Sequence, residues 1–164
     1  MVWTPRVTVA AVIERGGEFL LIEEETPDGL RLNQPAGHLE AGESIEHAVR
    51  RETLEETAHV FQPLGLVGTY LWRPDEEQAP TFLRFCFAGT VGEPLAGRAL
   101  DHGIRRAFWL SAEALRARPA EHRSPLVMRC VDDYLRARAS GRPWLPLDAL
   151  YTHPAIADRQ YGKQ

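Results

Sequence analysis

Lysine is almost missing from this sequence. Of its 19 basic residues only Lys163, next to last in the chain, is lysine; the rest are arginine. Chemistry that needs a buried lysine is thereby set aside: no Schiff base, and no phosphate loop of the G-x-x-x-x-G-K-[ST] kind. Serine is scarce as well, with four in all, and neither G-x-S-x-G nor H-E-x-x-H occurs. The two cysteines, Cys86 and Cys130, lie far apart in apolar stretches. They make neither a disulfide framework nor a zinc site, and they predict a reducing, cytoplasmic setting. No apolar run approaches the ~18–20 residues needed to cross a bilayer. The opening MVWTPRVTVAAV has no basic n-region and no small-residue cleavage site, so no signal peptide is expected. A net charge of −4 lacks the positive surface that a nucleic-acid polymer or an anionic membrane demands. If the chain is an enzyme, carboxylates, arginines or histidines carry the work.

What is present suits one folded domain: 164 residues, 44% of them hydrophobic and 26% charged. Arg6–Ile13 is β-branched and apolar on both faces, as in a central strand. Gly16-Gly17 predicts a hairpin to a partner strand at Phe19–Glu23, and Thr26-Pro27-Asp28-Gly29 predicts a turn. Leu32–Gly42, with Pro35, Gly37 and Gly42, reads as a loop after a short strand. Ser44 is placed to cap a helix running to about Thr57. Strands are expected near Val60–Trp72, at Thr81–Ala88 and at Arg105–Leu110. Ser111 then caps a short helix through Arg116. Ser124-Pro125 opens a last helix, with Leu126, Val127, Cys130, Val131, Tyr134 and Leu135 at core spacing and Gly141 as its stop. A domain over residues 1–147 is expected, with a tail at 148–164 that is docked or flexible. Strands mixed with two good helices predict a layered α/β or α+β domain.

The helix after Ser44 breaks its own pattern. At ~100° per residue, Ile45, Ala48 and Val49 define an apolar stripe, and the next residues on it are Glu52 and Glu56, with Glu55 at its edge. A merely solvated helix would carry its acids on the opposite face. Like charges three and four residues apart repel, and a helix C-terminus disfavours anions. Arg51 can neutralise one of them. The remainder points to a divalent cation that keeps the carboxylates ionised, and hard oxygen ligands select Mg²⁺, Mn²⁺ or Ca²⁺ over zinc. Ahead of the helix, Gly37 and Gly42 let backbone approach a ligand closely, and Glu43 is placed to brace Arg51.

From Gly37 to His59 the sequence therefore runs G-x5-E-x7-R-E-x-x-E-E. This resembles the Nudix box, G-x5-E-x7-R-E-U-x-E-E-x-G-U, with U a bulky aliphatic residue. Gly37, Glu43, Arg51, Glu52, Glu55 and Glu56 fill six of its seven fixed positions. Six such matches arise by chance in roughly 10⁻⁴ of chains of this composition. Ala58 replaces the second glycine, and Thr53 and His59 stand at the two aliphatic positions. The resemblance continues through Arg6–Ala10, Phe19–Glu24, Asn33–Glu40, Phe82–Phe85 and Arg123–Val127, which are similar to a subgroup of small bacterial Nudix phosphatases.

That resemblance implies a Nudix-type α/β/α sandwich around a mixed β-sheet. It also implies hydrolysis of a small-molecule diphosphate by water; the charge and the lack of a long apolar run predict neither a nucleic-acid polymer nor a membrane as partner, and both a monomer and a homodimer stay open. The subgroup implies release of phosphate from nucleoside di- and triphosphates and from the pyrophosphates of hydroxymethylpyrimidine or thiamine. Position by position, Glu52, Glu55 and Glu56 would bind Mg²⁺, which Mn²⁺ can replace, with the Gly37 carbonyl a further ligand. Arg51 and Glu43 would orient the acids. Glu55 or Glu56 would be the general base, with Asp101, Glu76 and Glu77 the available acids outside the box. Contacts to the rest of the substrate are less strongly encoded. Trp72, Arg73 and Phe82 offer planes for stacking, although core packing suits Phe82 better. Arg84 points outward from an apolar strand, reaching a phosphate or only solvent, and His38 borders the metal loop. His59 reads as structural. Other substrates within the family, such as nucleotide sugars or dinucleoside polyphosphates, remain open. So does a nucleotide-sensing module without turnover, against which the intact box acids count. An isomerase on the same fold would need a catalytic cysteine, and Cys86 suits packing better.

Overall fold

Strand β1 (Arg6–Arg15) is apolar on both faces because both faces are covered. Val9, Ala11 and Ile13 pack on one side and Ala10 and Val12 on the other, all within 1% of complete burial. The computed structural model describes residues 2–142 and 144–156; residues 157–164 of the expected tail, Lys163 among them, lie outside the described residues.

A Gly16-Gly17 turn, with φ of 61° and 87°, returns the chain into β2 (Glu18–Thr26), the conformation that a two-residue hairpin demands. Then come β3 (Gly29–Asn33), β4 (Ala36–His38), α1 (Ile45–Thr57), β5 (Phe61–Trp72), β6 (Phe82–Val91), β7 (Ile104–Ser111), α2 (Ala112–Arg116) and α3 (Leu126–Ala139). Strand β1 pairs in parallel with β6, from Arg6 opposite Phe82 to Ile13 opposite Gly89, and antiparallel with β4. β5 extends this sheet antiparallel to β6, while β2 carries β3 and β7 antiparallel on its two sides. The sheet is mixed, as expected. Among the described residues no helix is long and apolar enough to cross a membrane.

Helices α1 and α3 clothe opposite faces. Ala48 and Val49 of α1 pack with Val9, Ala11, Ile13, Phe61 and Phe87. Val127, Cys130, Val131 and Tyr134 of α3 pack with Ala10, Val12, Cys86 and Ala88. The result is an α/β/α sandwich. Beyond α3, Trp144 stacks on Tyr134 at 5.1 Å, Leu145 exchanges backbone hydrogen bonds with Leu66 (2.8 and 3.0 Å), and Leu147 and Leu150 pack on the α1 side. Residues 144–150 are thus docked across the boundary expected at 147.

One stretch departs from the sequence reading. Part of the segment expected as loop, Ala36–His38, is a short strand on the edge of β1. Its hydrogen bonds come from a partner far away in sequence, and three residues after a proline carry no readable period.

Candidate active site

Helix α1 begins where expected. Ser44 accepts a hydrogen bond from the His47 amide at 3.1 Å, satisfying an otherwise orphaned donor. Its buried side is Ala48, Val49, Glu52, Thr53, Glu56 and Thr57, so the apolar stripe does run on into carboxylates. The helix ends on Ala58 at φ 60°, ψ 12°, a left-handed cap that costs alanine about 1 kcal/mol and glycine nothing comparable. The polar residues at the aliphatic positions are satisfied locally. Thr53 donates to the Val49 carbonyl, Thr57 to that of Thr53, and the buried His59 ring meets the Thr57 carbonyl at 2.7 Å.

Arg51 organises the acids. Its Nε and Nη2 grip the buried Glu43 carboxylate (3.1 and 2.8 Å), Nη1 reaches Glu52 (2.8 Å) and Glu55 (3.1 Å), and Nη2 also donates to the His38 carbonyl (3.0 Å). Burial alone would raise the Glu43 carboxyl, but Arg51, the Glu40 amide and His47 together hold it below the ordinary range. This bracket ties helix to loop through a bidentate fork that lysine cannot reproduce.

Gly37 has a steric reason. A Cβ there would collide with the Glu52 carboxylate, which lies directly against the glycine backbone. Burial pushes the Glu52 carboxyl up; Arg51 opposes this, and Glu55 and Asp101 reinforce it. Glu56 is the most perturbed acid. Its carboxylate accepts the Ala36 amide at 2.8 Å, yet burial, with Glu52, Glu24 and Asp101 nearby, lifts it to about 9. No cationic side chain pairs with it among the described residues.

Glu52 and Glu56 line a cleft of about 400 Å³ together with Gly37, Glu24 and Asp101. The same cleft is lined by His38, Trp72, Phe82 and Arg84, with Thr8, Asn33, Arg123 and Ser124. Trp72 stacks on Phe82 at 5.8 Å, and the His38 ring lies 6.3 Å from Phe82. Phe82, expected in the core, is therefore half-buried in the cleft wall. Arg84, left open as a surface residue, is buried at 8% exposure. Arg73 is exposed and lies outside the lining residues, because Trp72 ends β5 facing the cleft and its neighbour turns away. Glu55 is also outside the lining, turned onto Arg51. Glu76 and Glu77 are exposed.

Sequence reasoning missed Glu24, Thr8 and Glu40 and gave no site role to Asn33, Arg123 or Ser124. Glu24 follows a shift of register between β2 and β7 at Glu23/Glu24, a bulge that re-aims a side chain and leaves no local sequence signal. Arg123 is delivered by its amide's bond to the Leu32 carbonyl (2.8 Å), again a non-local event.

The donor set fits a hard divalent cation. Glu52 and Glu56 offer carboxylate oxygens, glycine at position 37 keeps the backbone open beside them, and a cation would relieve the burial of Glu56. Among the described residues no three His, Cys, Asp or Glu side chains are already gathered into a coordination shell. Glu52 and Glu55 instead accept from Arg51, and Glu56 accepts the Ala36 amide.

A profile of the family described as NUDIX domain matches residues 4–130. The chain belongs to the Nudix family. It is 38% identical over 131 residues to Phosphatase NudJ of Shigella boydii, spanning 79% of this chain and 83% of that one. NudJ of Escherichia coli K12 matches with the same identity and coverage. A solved Nudix hydrolase from Nitrosomonas europaea superposes with a TM-score of 0.82 at 49% identity, covering 92% of this chain and 98% of its own. This Nudix protein is accordingly a hydrolase acting on phosphorus-containing anhydrides.

Proposed function

We propose that this Nudix hydrolase cleaves small-molecule diphosphates by water in a reaction dependent on Mg²⁺, with Mn²⁺ able to substitute. The substrates are nucleoside di- and triphosphates and the pyrophosphates of hydroxymethylpyrimidine or thiamine, and phosphate is released. The observation that carries the reading is the pair Glu52 and Glu56, buried in a cleft wall, with no basic side chain paired to Glu56 among the described residues. Glu52, Glu55, Glu56 and the Gly37 carbonyl would hold the metal. When bound, the metal neutralises diphosphate oxygens and lowers the pKa of the attacking water.

The chain's own residues do the rest. The Glu43–Arg51 bracket fixes the acids relative to the loop. A carboxylate takes the proton of the attacking water; Glu55 and Glu56 are the box candidates, and Asp101, at the exposed mouth of the cleft, is the candidate from outside it. The Trp72–Phe82 stack receives the planar group of the substrate. We place the enzyme in a reducing cytoplasm, in keeping with the two free, buried thiols.

The test is a phosphate- and pyrophosphate-release screen with Mg²⁺ over nucleoside di- and triphosphates, thiamine pyrophosphate and its pyrimidine precursor, nucleotide sugars and dinucleotides. Metal-dependent release of phosphate from the diphosphates is expected. Turnover confined to nucleotide sugars or dinucleoside polyphosphates would refute the substrate assignment.

A further inference from the structure

Among the described residues, Arg84 is a buried cation with no carboxylate partner. Strand β6 holds it at 8% exposure, its Nε and Nη1 have no hydrogen-bond acceptor, and no carboxylate pairs with it among the described residues. Its neighbours under the sheet are the thiols of Cys86 and Cys130; Cys130 shares a hydrogen bond with it, but a thiol is a weak acceptor and a poor match for a full charge. A guanidinium cannot shed its proton to escape, and burying a charge unpaired is among the most destabilising things a fold can do. The surroundings repeat the pattern. The register sets Arg84 beside Thr8 on β1, and Thr8 beside His38 on β4. Thr8 Oγ1, a hydroxyl able to donate, is likewise buried without a partner and lines the same cleft, whereas the orphaned Asn33 Oδ1 can only accept and takes no part in holding an anion.

That cleft also holds Glu52 and Glu56. An acid and an arginine in one cavity would ordinarily neutralise each other, and here they do not pair. A single ligand satisfies both groups: an anion for Arg84 that brings a cation for the carboxylates. The unpartnered guanidinium N–H groups can donate to non-bridging phosphate oxygens. A terminal phosphate, able to carry two charges, compensates a buried cation better than an internal one carrying a single charge.

We propose that Arg84, with Thr8 beside it, is the anion subsite for the terminal phosphate of a diphosphate monoester, whose planar group lies on Trp72 and Phe82. The ligand's identity rests on the diphosphate reading above. The site thereby favours nucleoside diphosphates and other monoesters over dinucleoside polyphosphates and nucleotide sugars, whose phosphates are all internal.

Binding of non-cleavable analogues to the full-length protein tests this by calorimetry with Mg²⁺, using α,β-methylene ADP for the terminal phosphate and α,β-methylene ADP-ribose for the internal one. Arg84→Met should stay folded, with a melting temperature at or above wild type because an unpaired charge is gone. It should bind the ADP analogue about 10- to 100-fold more weakly, and Arg84→Lys should recover part of the loss. The ADP-ribose analogue should weaken less. Wild-type affinity in Arg84→Met would overturn the subsite, and equal losses for both analogues would overturn the preference for a terminal phosphate. Should Arg84→Met not fold, Arg84→Lys decides: at least threefold weaker binding of the ADP analogue supports the proposal, and unchanged binding overturns it. Because neither analogue turns over, a wild type that binds through Arg84 yet releases no phosphate would sink the hydrolase reading and leave this one standing.

Discussion

Replacing Glu56 by glutamine keeps the shape of the side chain and its acceptor oxygen for the Ala36 amide while removing the titrating proton. In the metal-free protein the folded state holds that proton to about pH 9, whereas the unfolded chain releases it near the ordinary 4.5. Between those values the folded state binds more protons than the unfolded, so stability falls as pH rises. At pH 7.5, three units above the ordinary value, the penalty is about 4 kcal/mol; at pH 5 it is under about 1 kcal/mol. Glu56→Gln escapes it. Urea unfolding in EDTA should therefore find the variant more stable than wild type by a margin that grows by about 3 kcal/mol from pH 5 to pH 7.5, roughly 10 °C in melting temperature. Added Mg²⁺ should narrow the gap by stabilising wild type more, and turnover by the variant should fall by orders of magnitude. A margin equal at both pH values would refute the reasoning, because it would mean that Glu56 does not titrate between them.

Gly37→Ala should lose about 1–3 kcal/mol and most activity, read by thermal melting and phosphate release, since its methyl must displace the Glu52 carboxylate. Arg51→Lys replaces a fork on Glu43 by a point charge; kcat should fall at least tenfold with little change in KM, measured on the preferred diphosphate. Ala58→Gly should stabilise by about 0.5–1 kcal/mol without changing kcat, measured by urea unfolding, because only glycine rests comfortably at φ 60°.

How much of this was legible in the sequence depended on how local each cause is. The doubly apolar β1, the Gly16-Gly17 hairpin and the Ser44 cap are local, and they stand where expected. The acidic continuation of the α1 stripe was legible for the same reason, since a helical wheel needs only thirteen consecutive residues. Strand β4 was not, because its identity lies in pairing with β1. Glu24 was hidden by a bulge, and Arg123 by a loop tied to β3. Phe82 and Arg84 show a subtler failure. Alternation along β6 separates two faces but does not say that one face becomes a cleft wall at this end of the strand.

The central claim is that the buried carboxylates of α1 exist to hold a divalent cation against a diphosphate. Crystals grown with Mn²⁺ and a methylene diphosphate analogue test it most directly. Anomalous density touching Glu52 and Glu56, with Glu56 displaced from the Ala36 amide, is the predicted result. Manganese bound elsewhere, with Glu56 still on Ala36, would contradict it.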